Sequence, residues 1–163
     1  MLSGLADIQA SPSLMGRGAL RRAWLAARGA LPGLGLLLAA CAHPGSASLY
    51  EQLGGMTGIS AVTSTTLDRV AADPRTRRTY EGVRLSYLKQ SVANYLCKVA
   101  DGPCVYEGET MKKAHGDLDI SGSEFDVMVQ TLREELDAAG IAPAAKNELL
   151  RRVAPTRRDI VTH

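Results

Sequence analysis

Aromatic side chains, net charge and strand-like patterning are all scarce in this chain of 163 residues. Aromatics make up 4% of it, with one Phe and one Trp, and the formal net charge is only +2. So small a charge argues against a nucleic-acid partner. After residue 48 almost no run alternates apolar and polar residues, and no internal repeat or second-domain boundary occurs. These absences leave one small domain of the all-α class with a segment appended to it.

The first forty residues have the layout of an export signal. Arginines are concentrated between positions 17 and 28, and they precede an apolar run too short to span a bilayer as a stable anchor. Small residues then lead to Cys41, in an order that resembles a bacterial lipobox. We therefore expect a lipoprotein-type signal peptide at 1–40, lipidation of Cys41, a tether at 41–48 and a domain at 49–163.

Two alternatives to lipidation stay open: a plain secretory signal cut nearby, with Cys41 present by chance, and a cytoplasmic protein with an unusual N-terminus. Met15 is an equally good start for the signal. Acyl chains on Cys41 would hold the protein on a membrane, since each buried CH₂ contributes roughly 0.8 kcal/mol. The residue after Cys41 is Ala42, whereas lipoproteins retained in the inner membrane are associated with aspartate at that position. By that resemblance we expect a periplasmic protein anchored to the bacterial outer membrane, or a secreted one.

The two remaining cysteines, Cys97 and Cys104, flank a Gly-Pro turn. In an oxidising compartment a pair so placed is expected to form a disulfide, worth roughly 2 to 3 kcal/mol for a loop this short. A zinc site is the alternative, but zinc takes four ligands and no second pair stands nearby in the sequence. The bond would fasten the end of one helix to the loop that follows it.

Apolar residues recur at three- and four-residue steps and predict five helices after residue 48. Ser48 is placed to cap the first, and Ser121 with Glu124 has the spacing of a capping box. Between the third and fourth helices lies a stretch, 103–120, that we expect to be irregular. The predicted helices begin after Ser48, cover 59–70 and 85–99, run from Ser121 to Gly140, and begin again near Pro143.

His115 stands inside this irregular stretch and is followed by Gly116, which would let the backbone turn sharply. A neutral imidazole there could reach inward to a metal. The chain's other histidines, His43 and His163, lie in the tether and at the far end of the sequence, and they are poor candidates. Taken alone, a single histidine is more often a surface or hydrogen-bonded residue than a ligand.

The segments LYEQLGG, DRVAADPR, DGPCVYEG and MKKAHGDLDISGSEFDVMV resemble a group I truncated haemoglobin, and the likeness extends over residues 49–161. Its most specific part is the spacing from Met111 to His115, followed by Ile120 and Phe125. The resemblance implies a two-over-two helical sandwich enclosing haem b. It also implies that His115 is the proximal ligand of the iron, with the opposite axial position left for oxygen, nitric oxide or carbon monoxide.

The resemblance further implies which side chains would line the haem. Each of them also has the ordinary reading of core packing. Tyr106, with Lys89 or Lys112, is expected near the haem propionates, since charge-assisted contacts suit carboxylates. The implied wall residues are Leu67, Tyr80, Leu85, Leu88, Val92, Leu96, Met111, Ile120, Phe125 and Met128.

Several positions depart from the family pattern. Leu67 and Val92 stand where oxygen-binding members usually place a tyrosine and often a glutamine, and Thr66 replaces a bulky aromatic. A hydrogen bond to oxygen in a dry site contributes on the order of 1 to 2 kcal/mol, so its loss predicts faster oxygen release and favours carbon monoxide or nitric oxide. Tyr80 takes the place of the phenylalanine that wedges the haem, and its hydroxyl is a substitute donor.

Three functions therefore remain open. The first is a globin that binds a diatomic gas reversibly. The second is a nitric oxide dioxygenase, which would need an unidentified reductase as partner. The third is a degenerate, haem-free globin that serves as a scaffold, which the altered residues Leu67, Val92 and Thr79-Tyr80 support.

Overall fold

The fold is that of a computed structural model, which describes residues 47–163. The predicted signal peptide, Cys41 and nearly all of the predicted tether lie outside the described residues. Helix α1, Leu49–Gln52, begins at a capping box in which Glu51 N donates to Ser48 Oγ over 3.2 Å and Ser48 N donates to the Glu51 carboxylate over 2.8 Å. Ser48 thus starts the first helix, as the sequence predicts.

Two glycines turn the chain from α1 into helix α2, Gly55–Ala72. Gly54 and Gly55 have φ of 81° and 63°, a left-handed conformation that side chains with a Cβ rarely adopt. A Cβ on Gly58 would overlap the carbonyl oxygen of Leu53, so the two helices approach closely there. Helix α2 ends at Ala72, and its C-cap Asp73 is the residue before a proline.

The long helices follow the predicted pattern. A 3-10 helix, Arg77–Tyr80, leads to α3, and later helices follow a loop. Helix α5 begins with the predicted capping box, in which Glu124 N donates to Ser121 Oγ over 3.3 Å. The α-helices after α2 are α3 Leu85–Val99, α4 Met111–His115, α5 Gly122–Ala138, α6 Pro143–Val153 and α7 Arg157–Ile160, with a second 3-10 helix at Ala154–Thr156.

The expectation that 103–120 is wholly irregular is wrong, because Met111–His115 forms a short helix there. Thr110 caps it by accepting from Lys113 N at 3.3 Å. The 3-10 helix at Arg77–Tyr80 and the two elements after Val153 were not expected either. Elements of three to five residues are too short to show an apolar period, and they depend on tertiary contacts to form.

The end of α3 is a tightly packed corner. Asp101 has a φ of 60°, and Gly102 N donates to Cys97 O over 2.8 Å, the bond that closes a Schellman motif. A disulfide joins Cys97 to Cys104, with their Cα atoms 5.9 Å apart. A Cβ on Gly102 would lie 2.5 Å from the Tyr50 ring and 2.6 Å from Cys97 Sγ, so only glycine fits this position.

The main helices pack α2 against α3 and α5, with α6 against α1 and α5. A cluster of thirteen fully buried residues fills the space among them, and we call it the core cluster. None of the helices within 47–163 is both long and apolar enough to cross a membrane. The core cluster comprises Leu49, Leu53, Ile59, Val62, Ala93, Leu96, Cys97, Ala100, Leu132, Leu136, Ala145, Leu149 and Leu150.

Candidate functional site

His115 ends helix α4 and is half-buried. Its Nδ1 lies 2.8 Å from the carbonyl oxygen of Met111, one turn earlier in the same helix. Because a carbonyl can only accept a hydrogen bond, Nδ1 carries the proton, and in the neutral imidazole Nε2 keeps its lone pair. Histidines that bind metals are usually held by such a bond from the other ring nitrogen, so the imidazole has the form that a metal ligand requires.

Most of the predicted wall residues are half-buried, neither covered by the protein nor open to solvent. They lie on the 3-10 helix Arg77–Tyr80 and on α3, α4 and α5. Large apolar side chains left partly uncovered in this way are typical of a site that takes an apolar ligand. We call this set the wall residues: Tyr80, Leu85, Leu88, Val92, Met111, Phe125 and Met128.

Three other predicted positions are fully buried. Leu67 is 1% exposed and Ile120 is 7% exposed, so the protein itself covers nearly all of each side chain. Leu96 belongs to the core cluster, where it packs among other helices. The structure therefore favours a role in core packing for Leu96.

Tyr80 places its hydroxyl beside a thioether, 4.0 Å from Met128 Sδ. Burial, and then the negative charge of Glu124, raise the pKa of Tyr80 to about 12. The phenol therefore stays protonated at physiological pH. Sulfur is a weak acceptor, so this hydroxyl is a donor free to bind a better partner.

Several buried side-chain oxygens have no hydrogen-bond partner among the described residues. They are the hydroxyls of Thr63, Thr66 and Thr79 and Oε1 of Glu124. Threonines in helices commonly donate to the carbonyl four residues earlier, as Thr131 does to Val127 at 2.9 Å. Each unsatisfied buried group costs about 1–3 kcal/mol. Each of these oxygens can still form a hydrogen bond with water or with a bound group.

The residues expected near propionates have contacts of their own. Lys89 Nζ lies 2.7 Å from Asp68 Oδ2, so this ammonium is bound to α2. The Tyr106 hydroxyl donates to Glu109 O over 2.9 Å, and its ring meets that of Tyr95 edge-on at 5.3 Å. Lys112 is exposed and forms no ion pair within the described part of the chain. Of the two lysines, Lys112 is the one available to a carboxylate.

Gly116 does not make the sharp turn predicted for it. Its φ of −59° is ordinary helical geometry, which any residue adopts. The glycine is needed for space instead, since a Cβ there would lie 2.9 Å from Lys112 O. The left-handed residue of this segment is Asp119, with a φ of 48°.

Arg78 and Glu124 hold the edge of the site, and the sequence pattern indicates only the second of them. The Arg78 guanidinium donates to Glu124 Oε2 over 2.6 Å. Burial alone would raise the pKa of Glu124, but hydrogen bonds from Ser121 and Arg78 outweigh it and lower this pKa to about 2. Glu124 belongs to a recognisable capping box, whereas no local spacing connects it to Arg78, which lies 46 positions earlier.

Residues 48–162 match the model of a family described as bacterial-like globin. Over 116 residues the chain is 28% identical to the group 1 truncated hemoglobin GlbN of Mycolicibacterium paratuberculosis, covering 71% of this chain and 85% of that one. Over 114 residues it is 25% identical to the group 1 truncated hemoglobin of Tetrahymena pyriformis, covering 70% and 94%. The crystal structure of the latter in its Fe(III) form superposes with a TM-score of 0.68, over 72% of this chain and 100% of that one.

Proposed function

Because this chain belongs to the bacterial-like globin family, in its group I truncated form, we propose that His115 is the side chain through which it holds haem iron. The family and the fold make it a haem-binding globin, and the haem supplies the iron at which a diatomic gas is ligated. The contact between His115 Nδ1 and Met111 O carries the proposal. It fixes the tautomer that leaves Nε2 as the ligating atom.

The wall residues would exclude water from the haem. Leu85 and Leu88 on α3 would cover it from one side, and Met111 and Phe125 from the side of His115. A dry apolar surround protects ferrous iron from oxidation and strengthens any hydrogen bond made inside it. Tyr106 and Lys112 remain the proposed contacts for the propionates.

The distal side would retain oxygen weakly. Leu67 and Val92 carry no hydrogen-bond donor, and we propose the Tyr80 hydroxyl, held in protonated form beside Met128, as the donor to bound gas. A single hydrogen bond is worth about 1–2 kcal/mol here, which is about tenfold in affinity. We propose that the chain favours carbon monoxide or nitric oxide over oxygen, and that Tyr80→Phe raises the oxygen off-rate by about that factor.

An absorbance scan of the purified protein tests the role of His115. The wild type, produced with ample haem, should show a Soret band, and His115→Ala should lose it. His163→Ala is the matched control, since it removes the other described histidine and should leave the band intact. His115→Gly with added imidazole should recover the band. A colourless wild type would contradict haem binding, and a wild-type spectrum from His115→Ala would contradict the ligand assignment.

We also propose that the chain is exported and anchored by a lipid on Cys41. The support is the order of the basic stretch, the apolar run and the small residues before Cys41, together with a family match that begins at residue 48. Radiolabelled palmitate should enter the wild type but not Cys41→Ser. Equal labelling of the two proteins would rule out lipidation at this cysteine.

A further inference from the structure

The loop that follows His115 is fastened mainly by residues from elsewhere in the chain. Residues 116–119 are exposed, and within the loop Leu118 N donates back to His115 O over 3.1 Å. The far end is held by the last residues of the sequence, since Thr162 N donates to Ile120 O over 3.0 Å and Gly122 N donates to His163 O over 3.2 Å. The backbone carbonyls in the middle of the loop are bound by another element.

That element is the 3-10 helix Arg77–Tyr80, through one guanidinium. Arg78 Nη2 lies 2.7 Å from Asp119 O, and Nη1 lies 3.3 Å from Leu118 O. Nη2 also lies 2.6 Å from Glu124 Oε2, at the start of α5. The same carboxylate oxygen accepts from Ser121 N over 2.9 Å and from Ser121 Oγ over 2.8 Å. One planar group therefore joins three segments of chain.

Each of the three segments carries or adjoins a residue assigned to the haem site. Tyr80 stands two positions after Arg78 on the 3-10 helix, and Phe125 follows Glu124 on α5. The bonded loop carbonyls, of Leu118 and Asp119, lie three and four residues after His115, where α4 ends. We propose that Arg78 is a positioning residue: it sets the place of the loop after His115, and through it the orientation of the imidazole, relative to the helix that carries Tyr80.

Arginine suits this role for a physical reason. Its guanidinium presents several donors in a fixed plane, so it can bind two carbonyls and a carboxylate at once. Bonds to the charged carboxylate are stronger than neutral ones, and Glu124 is ionised because its pKa is lowered to about 2. Lysine would keep the charge near Glu124 but could not hold the three acceptors in one plane. The inference rests on the proposed role of His115 where it concerns the imidazole.

Two variants and a control test the inference. Arg78→Ala removes the guanidinium, and Arg78→Lys keeps the charge without the planar donors. Arg77→Ala is the control, because Arg77 is an exposed neighbour whose side chain makes no ion pair within the described residues. In the haem-free protein, hydrogen exchange at the amides of Leu118 and Ser121 should be at least about tenfold faster in both Arg78 variants. It should be unchanged in Arg77→Ala.

A second measurement follows the imidazole itself. In the ferrous haem form, the iron–imidazole stretching band in resonance Raman spectra should shift or broaden in both Arg78 variants and stay unchanged in Arg77→Ala. Wild-type exchange at both amides, or a wild-type band, in folded Arg78→Lys would overturn the inference. Should Arg78→Ala fail to fold, Arg78→Lys still decides. If His115→Ala kept haem, the ligand assignment would fail, while the exchange result would be unaffected.

Discussion

The two ends of the helical domain differ in how completely they bury their apolar residues. At one end the core cluster is closed, and Leu53, Leu136 and Leu149 are each 2% exposed. At the other end the wall residues are only half-buried. The same helices α3 and α5 contribute to both, so the difference lies along each helix and not between helices.

We propose that the half-buried wall residues mark the apolar surface that haem covers. Burying apolar area contributes about 25 cal/mol per Å², so residues left half-exposed represent stabilisation that the chain alone does not obtain. Haem would cover that surface and bind only the folded state, which raises apparent stability by mass action. The core cluster should therefore set the stability of the haem-free protein, and the wall residues should set the gain on haem binding.

The largest effect is expected from a substitution within the core cluster. Leu136→Ala removes a fully buried side chain and should lower the free energy of unfolding of the haem-free protein by about 2–5 kcal/mol. Leu88→Ala at the half-buried end should cost less than half as much, because part of that side chain is already in water. Urea unfolding of both haem-free variants measures this. Equal losses would show that the two ends do not differ in burial energy.

The next effect is expected when the disulfide, which links the core cluster to the loop before α4, is removed. Replacing Cys97 and Cys104 together with serine should lower the free energy of unfolding by about 2–3 kcal/mol, the value for so short a loop. Reductant should bring the wild-type unfolding midpoint close to that of the double variant. A midpoint insensitive to reductant in the wild type would contradict a contribution from the disulfide.

A smaller effect should appear when haem is removed: amide exchange should change differently at the two ends of the domain. Amide exchange in α4 and the loop after it should accelerate by at least about tenfold without haem, since a five-residue helix has little stability of its own. Exchange at Leu96 and Cys97 in the core cluster should accelerate less and stay slow in the haem-free form, because the core cluster sets the stability of that form. Hydrogen exchange with mass spectrometry on both forms measures it, and uniform acceleration across the chain would remove the distinction.

The last effect, confined to acid pH, is on pH dependence at the boundary of the site. The pKa of Glu124 is about 2 in the folded protein and 4.5 in its ordinary range. A lowered pKa gives stability that is fully present above 4.5 and is lost as the pH falls toward 2. Glu124→Gln should therefore flatten the acid side of the unfolding curve. Glu107→Gln, at an exposed position without an ion pair among the described residues, should leave it unchanged.

Whether the sequence predicts a secondary-structure element depends on how long that element is. Helices of eleven or more residues are visible because apolar positions such as Leu85, Leu88 and Val92 repeat at helical steps. Helix α4 and the 3-10 helix at Arg77–Tyr80 are invisible by that test, because they are shorter than two periods. His115 could be selected only through the family resemblance.

The bonds of Arg78 could not be predicted at all. Its partners Leu118, Asp119 and Glu124 lie 40 or more positions along the chain, and no local pattern connects them. The same holds for the pairing of Lys89 with Asp68, which crosses from α3 to α2. Contacts of this kind depend on how the helices pack, so they become predictable only once the fold is known.

The parallel bridge between Ile120 and Val161 has a consequence for the order of events in the cell. Val161 is synthesised after α5 and α6 are complete, so in a growing chain the loop after His115 lacks its contacts with residues 161–163 until both helices have emerged. Cofactor capture should therefore belong to the finished polypeptide, and ribosome-bound fragments that stop at α6 should pick up haem poorly.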